Sequence, residues 1–255
     1  MILDVAEDHV IVVSDLHIGS PASRAPDTLP GFLDYVNDSG AQLCINGDGF
    51  DILQSSFASL VGGSLPVVRK LRQLHRLGRR IYYIVGNHDI AFEHLMADLP
   101  ICVSPFLNLR SGDRRIRIEH GHTYEPFYAR WPRAYELGGR MARPMLLARR
   151  DTYALWSRMQ MVVDTHRRRE GEYPHHRAAK ALFSRGFDAV VFGHTHHPEL
   201  TVFESGTFVN AGSWLTAGTW VDINLGDVSL HTWDSNAKNE KAVLRAWDSN
   251  PVTTD

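Results

Sequence analysis

Five short clusters of carboxylate, imidazole and carboxamide side chains stand out in a chain of 255 residues that contains 14 histidines. They are Asp15-Leu16-His17, Gly47-Asp48-Gly49-Phe50-Asp51, Gly86-Asn87-His88-Asp89, His120-Gly121-His122 and Gly193-His194-Thr195-His196. Asp, Asn and His offer oxygen and nitrogen donors, which suit Mn, Fe or Zn better than a metal that prefers soft thiolates. Asp15 with His17, and His194 with His196, are i, i+2 pairs. In extended backbone such pairs share a side, so each can converge on one ion. Glycines at 19, 47, 86, 121 and 193 permit sharp turns and close backbone approach. Taken singly, each cluster reads as a polar loop, because Asn and Asp favour turns. The signal is the set of five, in order.

Each cluster needs an element to deliver it, and each follows a stretch with strand character. Val10-Ile11-Val12-Val13 precedes the first, Leu43-Cys44-Ile45 the second and Ile81-Tyr82-Tyr83-Ile84-Val85 the third. Between them fall a weak helical pattern over 28–38 and a clearer one marked by Val67, Val68, Leu71, Leu74 and Leu77, which Gly78 stops. This alternation predicts an α/β fold, a sheet with crossover helices. Residues 106–120 read as a hairpin turning at Ser111-Gly112-Asp113, which places the fourth cluster. Ala189-Val190-Val191-Phe192 leads into the fifth, with turns expected near Glu204-Ser205-Gly206 and Gly226-Asp227. Beyond Asp234 the chain is polar and weakly patterned, and loose order is expected there. In α/β folds ligands bind beyond the carboxyl ends of strands, so five clusters at strand ends predict one site.

Composition sets the outer bounds. Hydrophobic residues make up 44% and charged residues 22%, ordinary for a globular chain with a full core. Disorder, collagen-like repeats and disulfide scaffolds are thereby excluded. The length fits a single domain over 1–255 carrying an insertion. A net charge of −2 argues against a general nucleic-acid binder. Cys44 and Cys102 are expected as buried free thiols of a reducing compartment. No apolar run approaches the roughly 18 residues of a membrane span, and the acidic opening lacks the basic stretch of a signal peptide. The expected location is the cytoplasm.

The five clusters together resemble the five blocks of the calcineurin-like metallophosphoesterases, over residues 10 to about 215. The resemblance implies a four-layer αββα sandwich with a helical insertion and a dinuclear metal centre at its rim. It implies that Asp15, His17 and His196 hold the first of two divalent metal ions, with Mn the leading candidate and Fe or Zn the others. Asn87, His120 and His194 would hold the second, and Asp48 would bridge both. His88 would stand beside the leaving group with Asp89 orienting it, and Asp51 would support the site from outside. His122 has no assigned role. His9, His75, His94, His166 and His231 match no block and read as ordinary surface or core residues. The implied activity is hydrolysis of a phosphate ester or pyrophosphate by hydroxide held between two ions. The chemistry agrees: two cations about 3.5–4 Å apart clamp a phosphoryl oxygen and lower the pKa of water. Bridging them takes an anionic ligand with two oxygens, which Asp48 has. Asn87 adds an oxygen ligand without negative charge that would repel phosphate.

Between the last two clusters, residues 124–184 read as a helical lid insertion, with Leu155, Trp156, Met159, Val162 and Val163 at helical spacing. Residues 124–180 carry 12 Arg and Lys against 6 Asp and Glu. With the closing Asn210-Ala211-Gly212-Ser213-Trp214, this layout resembles bacterial UDP-2,3-diacylglucosamine pyrophosphatases. That subgroup has Arg in place of His88 and Asp in place of His122. A general phosphodiesterase or phosphomonoesterase acting on a nucleotide or other small substrate therefore stands beside the lipid-linked reading. An interaction scaffold with a decayed site is the alternative outside enzymology. The basic stretch could also dock weakly on an anionic inner-membrane surface.

Overall fold

The computed structural model describes residues 3–20, 23–51, 57–89, 101–131, 173–215, 218–234 and 239–245. In chain order the elements are β1 (Leu3–Ala6), β2 (His9–Val13), α1 (Ala25–Ser39), β3 (Gln42–Asn46), α2 (Phe57–Arg76) and β4 (Ile81–Ile84). Next come β5 (Cys102–Ser104), β6 (Phe106–Ser111), β7 (Arg114–Glu119), α3 (Pro126–Arg130) and α4 (Pro174–Phe183). The chain closes with β8 (Ala189–Phe192), β9 (Glu199–Phe203), β10 (Gly206–Asn210), β11 (Thr219–Asn224), β12 (Asp227–Asp234) and β13 (Asn239–Arg245).

Two sheets form. One is six-stranded, in the order β1-β6-β7-β8-β10-β9, and the other seven-stranded, in the order β13-β12-β11-β2-β3-β4-β5. The alternation of strand side chains, period two, sorts them into separate cores. Ile11, Val13, Leu43, Ile45, Ile81 and Tyr83 face α1 and α2, where they meet Phe32, Leu33, Leu71 and Leu74. Val10, Val12, Cys44, Tyr82 and Ile84 face the other way, onto Leu107, Leu109, Ile116, Ile118, Val191 and Val209 of the six-stranded sheet. Val190, Phe192 and Phe208 cover that sheet's outer face with Ala178, Ala179, Leu182 and Phe183 of α4. Helices, sheet, sheet and helix make the expected four layers. Strands buried on both faces read as continuous apolar runs, which is why β2, β3, β4 and β8 were visible in the sequence.

The helices follow their sequence signals. Pro26 stands in the first turn of α1, and Gly40 ends it in the left-handed region at φ 79. α2 begins ten residues before the first of its regularly spaced apolar residues. Gly78, at φ 87, follows its end as expected. Pro174 opens α4.

Three strands were not expected. β1 and β5 are short edge strands, and β13 pairs with β12 where loose order was anticipated. A second correction concerns Cys102, which is exposed on edge strand β5, whereas Cys44 is buried as expected. Residues 132–172 of the anticipated lid, including Leu155, Trp156, Met159, Val162 and Val163, lie outside the described residues, as do His94 and His166. No helix among the described residues is long and apolar enough to cross a membrane.

Candidate metal centre

The parallel strands β2, β3 and β4 of one sheet and β7 and β8 of the other all end at one rim. Asp15 and His17 follow β2, Asp48 follows β3, Asn87 and His88 follow β4, His120 follows β7, and His194 and His196 follow β8. Ligand atoms of Asp15, His17 and His196 lie within 4.8 Å of one another, and so do those of Asp48, His120 and His194. His17, Asp48 and His88 form a third such group between them.

The backbone at this rim is strained. Asp15 (φ 54), His17 (φ 47), Asp48 (φ 50), His194 (φ 68) and His196 (φ 59) all lie in the left-handed region. Such conformations cost about 1–3 kcal/mol each and survive only where neighbours over-determine them. The neighbours are visible. Asp15 N and His17 N donate to Gly47 O (3.1 Å) and Asp48 O (2.9 Å), lacing the β2 and β3 loops together. His88 N donates to Asp48 Oδ1 at 2.9 Å, and His194 N to Asp15 Oδ2 at 3.0 Å. Two glycines are imposed by crowding: a Cβ on Gly193 would stand 1.9 Å from Ser14 Oγ, and one on Gly86 2.1 Å from Asp48 Oδ1.

Hydrogen bonding fixes two of the imidazoles so that their Nε2 atoms face the centre. His17 Nδ1 lies 2.8 Å from Asp51 Oδ1 and His120 Nδ1 2.9 Å from Asn46 O, so both rings carry their proton on Nδ1. The Nε2 atoms then meet other ligand atoms at close range. His17 Nε2 is 3.1 Å from His196 Nε2, His196 Nε2 is 3.0 Å from Asp15 Oδ1, and His120 Nε2 is 3.3 Å from Asp48 Oδ2. Asp15 Oδ1, Asn87 Oδ1 and His120 Nε2 are buried without a hydrogen-bond partner. Buried acceptors aimed at one another cost free energy unless a proton or a cation sits between them. The donor set therefore fits divalent cations.

The same crowding displaces the titrations. Burial opposes charge throughout. It is outweighed at Asp15 by His196 and His120, and at Asp48 by His120 and His88, so both carboxyls stay far below the usual range. His120 is likewise raised to about 9 against its burial, by Asp48 and Asp15. Burial wins at His194, which is pushed well down, with His120 adding to it.

Asp51 is a support with two tasks: besides His17, its Oδ1 lies 3.0 Å from His88 Nδ1. Asp89 was expected to orient His88, but its carboxylate accepts from Gly49 N (2.8 Å), Gly86 N (2.7 Å) and the Tyr83 hydroxyl. It ties the β3 and β4 loops together. Burial, with Asp48 adding to it, raises it to about 6. His122, unassigned in the sequence, packs edge-on to Tyr128 and lies 5.4 Å from His120 ring to ring. Burial, then His120, pushes it down to about 4. His175 was missed: fully buried at the start of α4, it lies 3.2 Å from Gly121 O and 6.2 Å from His194 ring to ring. Its one sequence signal is the Pro174-His175 pair at a helix start. Elsewhere His9 pairs with Asp222 at 2.7 Å, His231 stacks on Trp220, and His75 is exposed, as expected for residues outside the blocks.

The model of one family, described as calcineurin-like phosphoesterase, matches residues 9–198. The chain belongs to that family. Its fold is shared by the phosphoesterase Yfce from E. coli, at 18% identity and TM-score 0.51, over 93% of this chain and 97% of that one. Vacuolar Protein Sorting 29 from Cryptosporidium parvum aligns over 92% and 95% of the two chains, at 15% identity and TM-score 0.47. An archaeal phosphodiesterase aligns over 92% and 98%, at 15% identity and TM-score 0.42. No curated protein matches the chain significantly.

Proposed function

We propose that the protein hydrolyses a phosphate ester or pyrophosphate with two divalent cations, Mn the first to try. One observation carries this reading: the ligand atoms of Asp15, His17 and His196, and those of Asp48, His120 and His194, crowd within 4.8 Å of one another at a rim where Asp15 Oδ1, Asn87 Oδ1 and His120 Nε2 are buried without a hydrogen bond. Asp15, His17 and His196 would hold one cation, Asn87, His120 and His194 the other, and Asp48 both. Such ions supply Lewis acidity toward the phosphoryl oxygens and lower the pKa of water.

The chain's own groups do the rest. Asp48 brings two oxygens to the centre and is itself held by the His88 amide. His88 stands at the mouth of the site with Nδ1 beside Asp51, so its Nε2 is the group placed to donate a proton to the departing oxygen. Asp51 fixes both that ring and His17 through one carboxylate oxygen.

The His88–Asp51 pair favours an ester substrate whose leaving group needs a proton. The basic 124–180 stretch supports a bulkier, lipid-linked nucleotide of the UDP-diacylglucosamine kind. A substrate panel decides: chromogenic diester, chromogenic monoester and UDP-diacylglucosamine, each with Mn2+ and with chelator. Metal-dependent turnover of at least one, abolished in Asp48→Ala together with loss of both ions, is the expected result. Wild-type turnover by Asp48→Ala with two ions bound would remove the bridge. No turnover by wild-type protein with metal bound would leave an interaction scaffold.

A further inference from the structure

The segment Asn210-Ala211-Gly212-Ser213-Trp214 contributes no ligand to the centre, yet it is fully buried beside it. Asn210 ends β10, next to the end of β8 and the start of β9. Its amide Nδ2 donates to Gly193 O at 2.7 Å and to Thr195 Oγ1 at 3.1 Å, and its Oδ1 accepts from Gly212 N at 3.0 Å. The amide nitrogen is therefore committed to the loop that carries His194 and His196, and the oxygen to the segment itself. Three residues on, Ser213 Oγ donates to Asp15 O at 3.1 Å and accepts from Leu215 N at 3.0 Å. Trp214 N donates to the same Asp15 O at 3.2 Å. The segment is anchored in turn: Thr219 Oγ1 donates to Ala211 O, Trp214 Nε1 donates to Thr219 O, and the Trp214 ring packs edge-on to Phe32.

We infer that residues 210–214 are a clasp that holds the β2 and β8 loops in ligating position, with Asn210 and Ser213 as its positioning residues. Asp15, His194 and His196 are all held at positive φ. The carbonyls the clasp grips, Gly193 O and Asp15 O, belong to the peptide entering His194 and to Asp15 itself. Strained residues relax unless something outside them forbids it, and here the restraint comes from a third stretch of chain. The clasp is anchored by Thr219 and Phe32, both outside the ligand set, so it holds the first site's two halves, Asp15 with His17 and His196, independently of the ligands themselves. This deepens the dinuclear reading and, in its effect on ion affinity, rests on it.

The test separates the clasp from general packing. Three variants are compared with wild type: Asn210→Ala, Asn210→Ser in case the alanine variant fails to fold, and Ser213→Ala. Ser111→Ala is the control, equally buried at the opposite end of the sandwich, where its Oγ joins Asp8 O to Gly226 N. Amide hydrogen exchange is read on metal-free protein. Exchange at His194 and Thr195 should accelerate at least tenfold in the Asn210 variants, and at His194, whose amide rests on Asp15, in Ser213→Ala. Ser111→Ala should leave both unchanged. In Mn2+ titrations, the clasp variants should bind about 10–100-fold more weakly, the usual loss when a ligand's supporting partner is removed. Exchange at 194–195 unchanged in Asn210→Ser, or changed as much by Ser111→Ala, overturns the clasp. If wild-type protein binds no Mn2+, the dinuclear reading falls, while exchange in the metal-free protein still decides the clasp.

Discussion

The two ends of the sandwich are built from the same strands and obey opposite rules. At the ligand end, five residues with large polar side chains occupy the left-handed region. At the other end, the β6–β7 and β11–β12 turns enter it through Gly112 and Gly226, with Leu225 the single non-glycine there among the described residues. Glycine makes that conformation cheap, whereas a side chain makes it cost about 1–2 kcal/mol. The far end carries little strain among the described residues. The ligand end carries the strain because each side chain must leave its turn toward a common point. Hydrogen bonds to Gly47 O and Asp48 O, and from Ser213 Oγ and Trp214 N, hold it there.

The sharpest break in this contrast is expected at His88. His88→Ala should retain both ions and slow turnover about 10²–10⁴-fold, the usual contribution of general acid–base assistance. The deficit should narrow for substrates with good leaving groups. An equal deficit for all leaving groups, with ions lost, would make His88 part of the ligand frame.

Packing comes next. Gly193→Ala places a Cβ 1.9 Å from Ser14 Oγ, and should cost roughly 1–3 kcal/mol and weaken metal binding as well. Gly78→Ala, at φ 87 with open space around it, should cost about 1 kcal/mol and leave metal binding alone. Urea melts and Mn2+ titrations of the two variants give the comparison directly. Equal effects on metal binding would erase the distinction between the ends.

A smaller change should run the other way. Leu225 is 67% exposed at φ 50, followed by Gly226 at φ 89, a two-residue hairpin turn that favours Asn-Gly. Leu225→Asn should stabilise the fold by about 0.5–1 kcal/mol with unchanged turnover, as relief of local backbone strain does. No gain in thermal denaturation would mean that the turn pays nothing for its leucine.

The smallest expected effect depends on pH. Asp222 accepts from His9 and raises its pKa, burial only partly opposing it. That stabilisation is complete below the ordinary histidine value of 6.5 and fades as pH rises through the higher folded value. Asp222→Asn should therefore lower the melting temperature at pH 5.5 and match wild type near pH 9, by an amount equivalent to about 1 kcal/mol or less. A deficit independent of pH would assign the pair's contribution to packing.

Much of the ligand end was legible because its demands are chemical. Asp, His and Asn at strand ends, with glycine beside them, leave a trace that survives without coordinates, and β2, β3, β4 and β8 were betrayed by being apolar on both faces. The supports were less visible. Asp51 serving both His17 and His88 is a matter of angles, and nothing in Gly-Asn-His-Asp says that Asp89 turns away toward Gly49 and Tyr83. Edge strands β1, β5 and β13 pair on one side only, so their sequences carry little pattern. Cys102 looked buried because its neighbours are apolar, yet the edge of a sheet exposes one side.

The topology has a consequence for the order in which the protein can come alive. β2 lies in the ladder between β3 and β11, and His17 meets His196 across 179 positions of chain. During synthesis the amino-terminal half can lay down β2, β3 and β4 with Asp15, His17, Asp48 and Asn87 in place. His194, His196 and the Asn210 carboxamide come only near the end. A chain that ended before residue 194 would hold Asp15, His17, Asp48, Asn87 and His120 without His194 and His196. Completion of the cluster therefore waits on β8 and the stretch that follows it.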